Sequence, residues 1–341
     1  MKSSNLYQEI RLLFFLSILV CGFAEAQPLS EIKSAQVLLN KIIENEKAIK
    51  DIQAEVSWFE SQTNKPLKDY GWGYDGGREF FEGYSYQREK KGDSWQRSSY
   101  NKRAFDGEIL RLYTDNAPKG VDFKSGKIRS YDPYVFRSWL TPFDLLGYDV
   151  HCLKTLGGCL QDAENLTLET KLEEIDGHWC HLFQAEGVPT GNDSYWDVRV
   201  WIDFERDFRP LKIETFHPIS GKNKWKGLSR RIHKVKLAQI DGFWFPVEGE
   251  EQAFYTKNVK IPEGISQDQL KELSPEEREE IRKNADVEMA LMALPQVIKI
   301  DIESIKINKG IDPEMFTVKF PPECHVWDDF AQIGYKVGDK K

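Results

Sequence analysis

From Leu29 to Ile52 the apolar residues Ile32, Ala35, Leu38, Leu39, Ile42, Ile43 and Ile49 recur three and four positions apart. That spacing collects them on one stripe and predicts an amphipathic helix laid against something apolar. Ser30 stands where a cap could start it. At Ile52 the period changes. Ile52, Ala54, Val56 and Trp58 alternate with Gln53, Glu55 and Ser57, and a period of two is the signature of a strand with two unlike faces.

Alternation continues through most of the next two hundred or so residues. It is carried by Phe80, Tyr84 and Tyr86, then Ile109, Arg111 and Tyr113, then Leu166, Leu168 and Leu172, then Val198, Val200, Ile202 and Phe204, and then Leu211 and Ile213. Such runs predict an antiparallel sheet, because only antiparallel sheets commonly leave one face wet. Asp106-Gly107, Asp176-Gly177 and Asp241-Gly242 lie between strand-like runs, and Asp-Gly supplies the positive φ angles of a tight hairpin. Between Lys257 and Gln296 the pattern turns helical: Ser266 to Gln269 and Ser274 to Glu277 read as capping boxes, the second with Pro275 at the first helical position. The span 262–294 is rich in acidic residues and is expected to be a polar helical insertion facing water. Ile298, Ile300 and Ile302 then return to alternation. No Pro/Ser-rich linker interrupts the chain after its start, so residues 27–341 read as one domain.

Composition narrows the function classes. With 40% hydrophobic and 13% aromatic residues in 341, the chain has the means to bury a sizeable core. A net charge of −8 argues against a nucleic-acid partner, whose phosphates require a basic surface. The long apolar run, Leu12 to Ala24, is too short for a comfortable membrane span and follows Lys2 and Arg11. Together with Ala24-Glu25-Ala26 it reads as a secretory signal, residues 1–26, cut before Gln27. The expected location is therefore the periplasm, where disulfides form. Cys152, Cys159, Cys180 and Cys324 allow three pairings. Cys152–Cys159 is favoured because Gly157-Gly158 can turn the chain between them, with Cys180 and Cys324 as buried thiols.

Candidate chemistry is sparse. There is no Gly-x-Ser-x-Gly elbow, phosphate-cradling glycine loop or His-Glu-x-x-His helix. His178-Trp-Cys-His181 is the densest cluster, but alternation sends His181 to the face opposite His178 and Cys180, and no second ligand pair follows at zinc spacing. Asp203 with Glu205, or Asp328 with Asp329, could be cast as glycosidase acids, although turns carry such pairs routinely. The basic stretch Lys222 to Lys226, continued by Arg230, Arg231, Lys234 and Lys236, could meet anionic lipid headgroups or simply face solvent.

Several phrases, in order along the chain, resemble the LolA/LolB-like family of lipoprotein-sorting proteins, in particular its large periplasmic members. They are the N-terminal helix running into Ile52 to Phe59, Tyr86-Gln-Arg88, Phe105-Asp-Gly-Glu108 leading into Ile109 to Tyr113, and Leu140-Thr-Pro-Phe-Asp-Leu-Leu146. Val200-Trp-Ile-Asp203 with Pro210-Leu-Lys-Ile213, Ile240-Asp-Gly-Phe-Trp-Phe-Pro246, and Ile311 to Phe316 followed by Phe320-Pro-Pro322 complete the series. The segment 262–294, the cysteines at 152 and 159, and the absence of Pro after Arg88 depart from the smaller carriers.

The resemblance implies a mainly β, α+β fold: an incomplete antiparallel β-barrel with helices covering its open side, a hydrophobic cavity, no catalysis and no cofactor. It casts Arg88 as a latch holding the lid. On this reading Ile52, Val56, Trp58, Tyr84, Tyr86, Val200 and Ile202 line the cavity. The cargo is a lipid or a lipidated protein, exchanged with membrane-bound donor and acceptor proteins by a monomer. Two other readings stand beside it: an envelope scaffold with a filled core, and a metal-dependent hydrolase built on His178, Cys180 and His181.

Overall fold

A computed structural model describes residues 34–88, 95–116, 123–131, 140–147, 154–189, 195–217, 227–260, 273–274, 277 and 286–339. Its first element is helix α1 (Ala35–Lys47), capped by Ser34, whose hydroxyl accepts the Val37 N–H at 3.3 Å. The start expected at Ser30 lies outside the described residues. Leu38, Leu39 and Ile42 form the buried stripe that the periodicity predicts, and burial of each aliphatic side chain contributes about 1.5–3 kcal/mol.

Six strands follow: β1 (Asp51–Glu60), β2 (Lys65–Asp75), β3 (Arg78–Arg88), β4 (Trp95–Phe105), β5 (Ile109–Asp115) and β6 (Lys124–Ser130). Two short helices, α2 (Pro142–Leu145) and α3 (Leu156–Gln161), precede β7 (Asn165–Leu168), β8 (Glu173–Ile175), β9 (His178–Pro189), β10 (Tyr195–Asp203) and β11 (Arg209–Phe216). The chain ends with β12 (Leu228–Ile240), β13 (Phe243–Lys260), β14 (Asp286–Leu291), β15 (Gln296–Ile300), β16 (Lys306–Ile307), β17 (His325–Asp328) and β18 (Ile333–Lys336).

Antiparallel pairing runs from β2 through β6 and from β9 through β13. The two meanders meet in the middle, where β1 pairs with β2 on one side and with β15 and β16 on the other, while β15 also pairs with β13. At one end β17 joins β6 in parallel and carries β18; at the other β7 and β8 join β9. Among the described residues these ends do not pair with each other, so the sheet is open. The predicted mainly β class holds.

The Asp-Gly turns fall where the sequence places them. Asp176 and Gly177 (φ 50° and 85°) and Asp241 and Gly242 (φ 51° and 88°) both occupy the left-handed region that closes a two-residue hairpin. At the third turn Gly107 has φ 103°, and Asp106 Oδ1 accepts the N–H groups of Glu108 and Ile109 at 3.0 and 2.8 Å.

One expectation is corrected. Residues 286–291, inside the segment 262–294 read as helical, form strand β14, which pairs with the far end of β13 from Phe254↔Leu291 to Lys260↔Asp286. The sheet ladder outweighs the local helix-like spacing there. The capping box at Ser274 does form, with Ser274 N–H donating to Glu277 Oε2 at 2.8 Å and Glu277 N–H to Ser274 Oγ at 3.2 Å. The rest of that segment lies outside the described residues.

Both faces of the sheet are used. The inner face carries the main core, in which Ile52, Trp72, Phe81, Phe183, Val200 and Phe245 pack with residues of α1, α2 and α3. On the outer face of the first meander Phe80, Ala104 and Tyr113 are covered by Phe316, Val318, Cys324 and Val326 from the C-terminal stretch. A smaller outer cluster unites Cys180, Leu182, Trp201 and Leu211.

Candidate functional site

The three helices leave a cleft of about 370 Å³ against the inner face. Ile43 and Ile49 line it from α1 and the chain just after it, Tyr74 from β2, Phe143 and Leu146 from α2 and its end, and Leu156 from α3; Glu46, Lys47, Thr155, Gln161 and Arg209 supply its polar atoms. The volume lies within the range of about 300–1,000 Å³ typical of ligand pockets.

Helix α2 is fixed by a polar seat. Thr141 and Asp144 form a capping box, with Thr141 N–H donating to Asp144 Oδ2 at 2.6 Å, and Pro142 opens the helix. Arg230 on β12 donates to Asp144 Oδ1 at 2.8 Å and to Glu251 Oε1 at 2.5 Å. Burial disfavours the Arg230 charge, but the carboxylates of Glu251 and Asp144 outweigh that and hold its pKa above the ordinary arginine value. Tyr70 donates its hydroxyl to the carbonyl of Leu140. Phe143 stacks edge-on against Trp72 and Tyr74, with centroids 4.8 and 4.9 Å apart. Gly249 makes room for the helix, since a Cβ there would lie 2.5 Å from Leu145 Cδ2. The phrase Leu140 to Leu146, noticed in the sequence only as a family likeness, is thus a wall of the cleft.

Helix α3 is tied to α1. Thr155 caps it by accepting the Gly158 N–H at 3.3 Å. Glu46 accepts the Gly157 N–H with both carboxylate oxygens, at 3.0 and 3.2 Å. Burial pushes the Glu46 pKa up, against the opposing pull of Thr155, Gly157, Arg209 and Leu156.

Arg209 forms the floor. It is 3% exposed, and its Nε donates to the Trp244 carbonyl at 2.9 Å. Its Nη2 is buried and has no hydrogen-bond partner among the described residues. Burial draws its pKa down, with Asp207 and Glu46 pulling the other way. Arg209 carries no distinguishing signal in the sequence, because an arginine at the start of a strand that also holds Lys212 and Glu214 is common.

The residues expected to line a cavity divide into three groups. Ile52, Val56, Val200 and Ile202 share the inner face but are packed within the core, each at most 2% exposed. Trp58 is half-buried against that core, with Lys68 Nζ 4.6 Å from its ring centroid. Tyr84 and Tyr86 are corrected to the outer face: Tyr84 packs on Tyr100 at 5.3 Å, and the Tyr86 hydroxyl donates to Asp69 Oδ2 at 2.6 Å. The physical reason is the pair Phe80-Phe81, in which Phe81 and not Phe80 points to the main core, so residues in step with Phe80 point away. Arg88 ends β3 opposite Trp95, and its side chain lies outside the described residues, as does Cys152.

The remaining candidates have structural partners. Cys180 sits in the outer cluster, whereas the buried His181 faces the Phe204 ring at 5.4 Å. Among the described residues no three His, Cys, Asp or Glu side chains converge as a metal site. Asp203 accepts from Glu205 N–H and Arg206, and Asp328 from the Phe330 and Ala331 N–H groups, so both carboxylates hold turns. In the basic stretch Arg231 pairs with Glu214, Lys234 with Glu250 and Lys236 with Glu248, at 2.8, 3.0 and 2.8 Å. Residues 222–226 lie outside the described residues.

No family model and no curated protein matches the chain. Among solved structures it is similar to a DUF1329 family protein from Desulfovibrio piger, with a TM-score of 0.43 and 10% identity over 84% of this chain and 98% of that one. It is also similar to a LolA superfamily protein from Nitrosomonas europaea, with a TM-score of 0.41 and 14% identity over 84% and 99% of the two chains. A third is a domain from Vibrio parahaemolyticus described as an outer membrane lipoprotein-sorting protein, with a TM-score of 0.35 and 13% identity over 83% and 97%.

Proposed function

We propose that the chain is a non-enzymatic periplasmic binder or carrier of amphiphilic cargo, a lipid or the acyl part of a lipidated protein, held in the cleft beneath α1, α2 and α3. The observation that carries this reading is the cleft itself: about 370 Å³, walled mainly by Ile43, Ile49, Phe143, Leu146 and Leu156, and bounded by short helical segments. Shielding an acyl chain from water is worth about 0.8 kcal/mol per CH₂, so a modest apolar groove binds such cargo without covalent chemistry. The helices would act as the cover of the open sheet and Arg88 as its latch. The order of family-like phrases along the chain and the leader-like residues 1–26 support the same reading.

A competing observation favours the scaffold reading. Ile52, Val56, Val200 and Ile202 pack within the inner core, each at most 2% exposed. Equilibrium binding of a neutral fluorescent acyl probe separates the two, with a lipopeptide as competitor. Saturable, competed binding supports the carrier; its absence supports a scaffold. Mass spectrometry of organic extracts from purified protein then identifies any cargo retained.

A further inference from the structure

The cleft described above is apolar along its walls and cationic at its floor, and the floor is built with unusual care. Asp207 and Phe208 both adopt positive φ, 52° and 54°, just before Arg209. That turn is anchored on three sides: Asn45 donates to the Asp207 carbonyl at 2.8 Å, Asp207 Oδ2 accepts the Trp244 N–H at 2.8 Å, and Arg209 N–H donates to the Arg206 carbonyl at 3.0 Å. With its Nε held by Trp244, the guanidinium is positioned by backbone atoms. Nη2 is left without an acceptor in a residue only 3% exposed. Leaving a charged donor buried and unpaired is costly, and the cost is recovered when an acceptor arrives. Glu46, which accepts the Gly157 N–H with both oxygens, makes no hydrogen bond to Nη2.

We propose that Arg209 anchors the oxyanion head of a single-chain amphiphile, a carboxylate or phosphate, whose acyl chain lies along Ile43, Ile49, Phe143 and Leu156. This deepens, and rests on, the carrier reading. A volume of about 370 Å³ suits one chain better than several. The neighbouring Glu46 takes a proton more readily than a free carboxylate, which reduces its repulsion of an incoming anion. Charge-assisted hydrogen bonds discriminate strongly between an oxyanion and a neutral hydroxyl of the same chain length.

The test is calorimetric binding of palmitate, hexadecyl phosphate and hexadecanol to the full chain and to Arg209→Gln. In the unaltered protein an oxyanion should bind about tenfold or more tighter than hexadecanol. Arg209→Gln should remove that preference, read as the ratio of oxyanion to hexadecanol affinity in the same variant. Palmitate or hexadecyl phosphate as the tighter ligand distinguishes a fatty-acid source from a phospholipid-like head. Hexadecanol binding as tightly as both acids overturns the role of Arg209 and leaves the carrier reading intact; this comparison holds even if the variant does not fold. Binding of none of the three overturns both.

Discussion

Gly157 donates its backbone N–H to both carboxylate oxygens of Glu46, and a Cβ added at Gly157 would stand 2.6 Å from Ile43 Cγ1 and 2.7 Å from Glu46 Oε2. Helices α1 and α3 therefore touch through a glycine that no larger residue can replace in place. Gly157→Ala should force them apart at a cost of about 1–3 kcal/mol, the usual range for overpacking. Urea unfolding measures the loss; an unchanged midpoint would show that this contact bears no load.

Removing Arg230 leaves the carboxylate of Asp144 on α2, a residue 4% exposed, without its cationic partner. Arg230→Ala is expected to lower stability by about 3 kcal/mol, because breaking a buried pair leaves an uncompensated charge. Arg230→Met combined with Asp144→Asn should recover a substantial part, as a double-mutant cycle would reveal.

Burial, with Arg103 alongside, pulls the Lys68 ammonium from 10.5 down to about 6. Between those values the unfolded chain holds a proton at Lys68 that the folded chain lacks, so stability should rise with pH across this window and fall as pH drops toward about 6. Lys68→Met should flatten the slope. Chemical denaturation at several pH values checks the sign.

Cys180 and Cys324 are buried, and burial raises both thiols above the ordinary cysteine value. Neither should react with iodoacetamide until the protein unfolds. The proposed Cys152–Cys159 bridge, worth roughly 2–3 kcal/mol in a loop this short, should appear in non-reducing peptide maps. A free thiol at Cys152 in exported protein, or its linkage to Cys180 or Cys324, would reject it.

Tyr86 lies on the face away from the cleft, whereas Leu146 lines it. Tyr86→Phe should leave acyl-probe affinity unchanged, and Leu146→Asp should weaken it by about tenfold or more. Equal effects would place the binding surface elsewhere.

Much of the fold is legible before any coordinates. Helix α1 has a clean stripe, and the Asp-Gly turns need only local chemistry. The faces of β3 are not legible, because the C-terminal stretch covers the outer side and both Phe80 and Phe81 become buried. Alternation reports a face only when its opposite is wet. Strand β14 is hidden for a related reason: its pairing with β13 is a long-range contact. Alternation points to strand residues as the lining of a cavity, yet the walls of the cleft come mostly from α1, α2 and α3. Arg209 escapes notice altogether, since what distinguishes it is a missing partner.

Strand β1 sits at the centre of the sheet but finds its second neighbour only near the end of the chain, with Val56 opposite Ile300 and Ile52 opposite Ile307. A chain synthesised from its N-terminus and halted before Gln296 would hold two hairpin stacks, β1 to β6 and β9 to β13, with no strand between them. Their facing edges would present open rows of N–H and C=O groups, a template for pairing with other chains. Contacts of such sequence separation form slowly. The last few dozen residues therefore set how long the nascent protein is prone to aggregate, and a factor that shields the β1 and β13 edges should speed its maturation without touching the cleft.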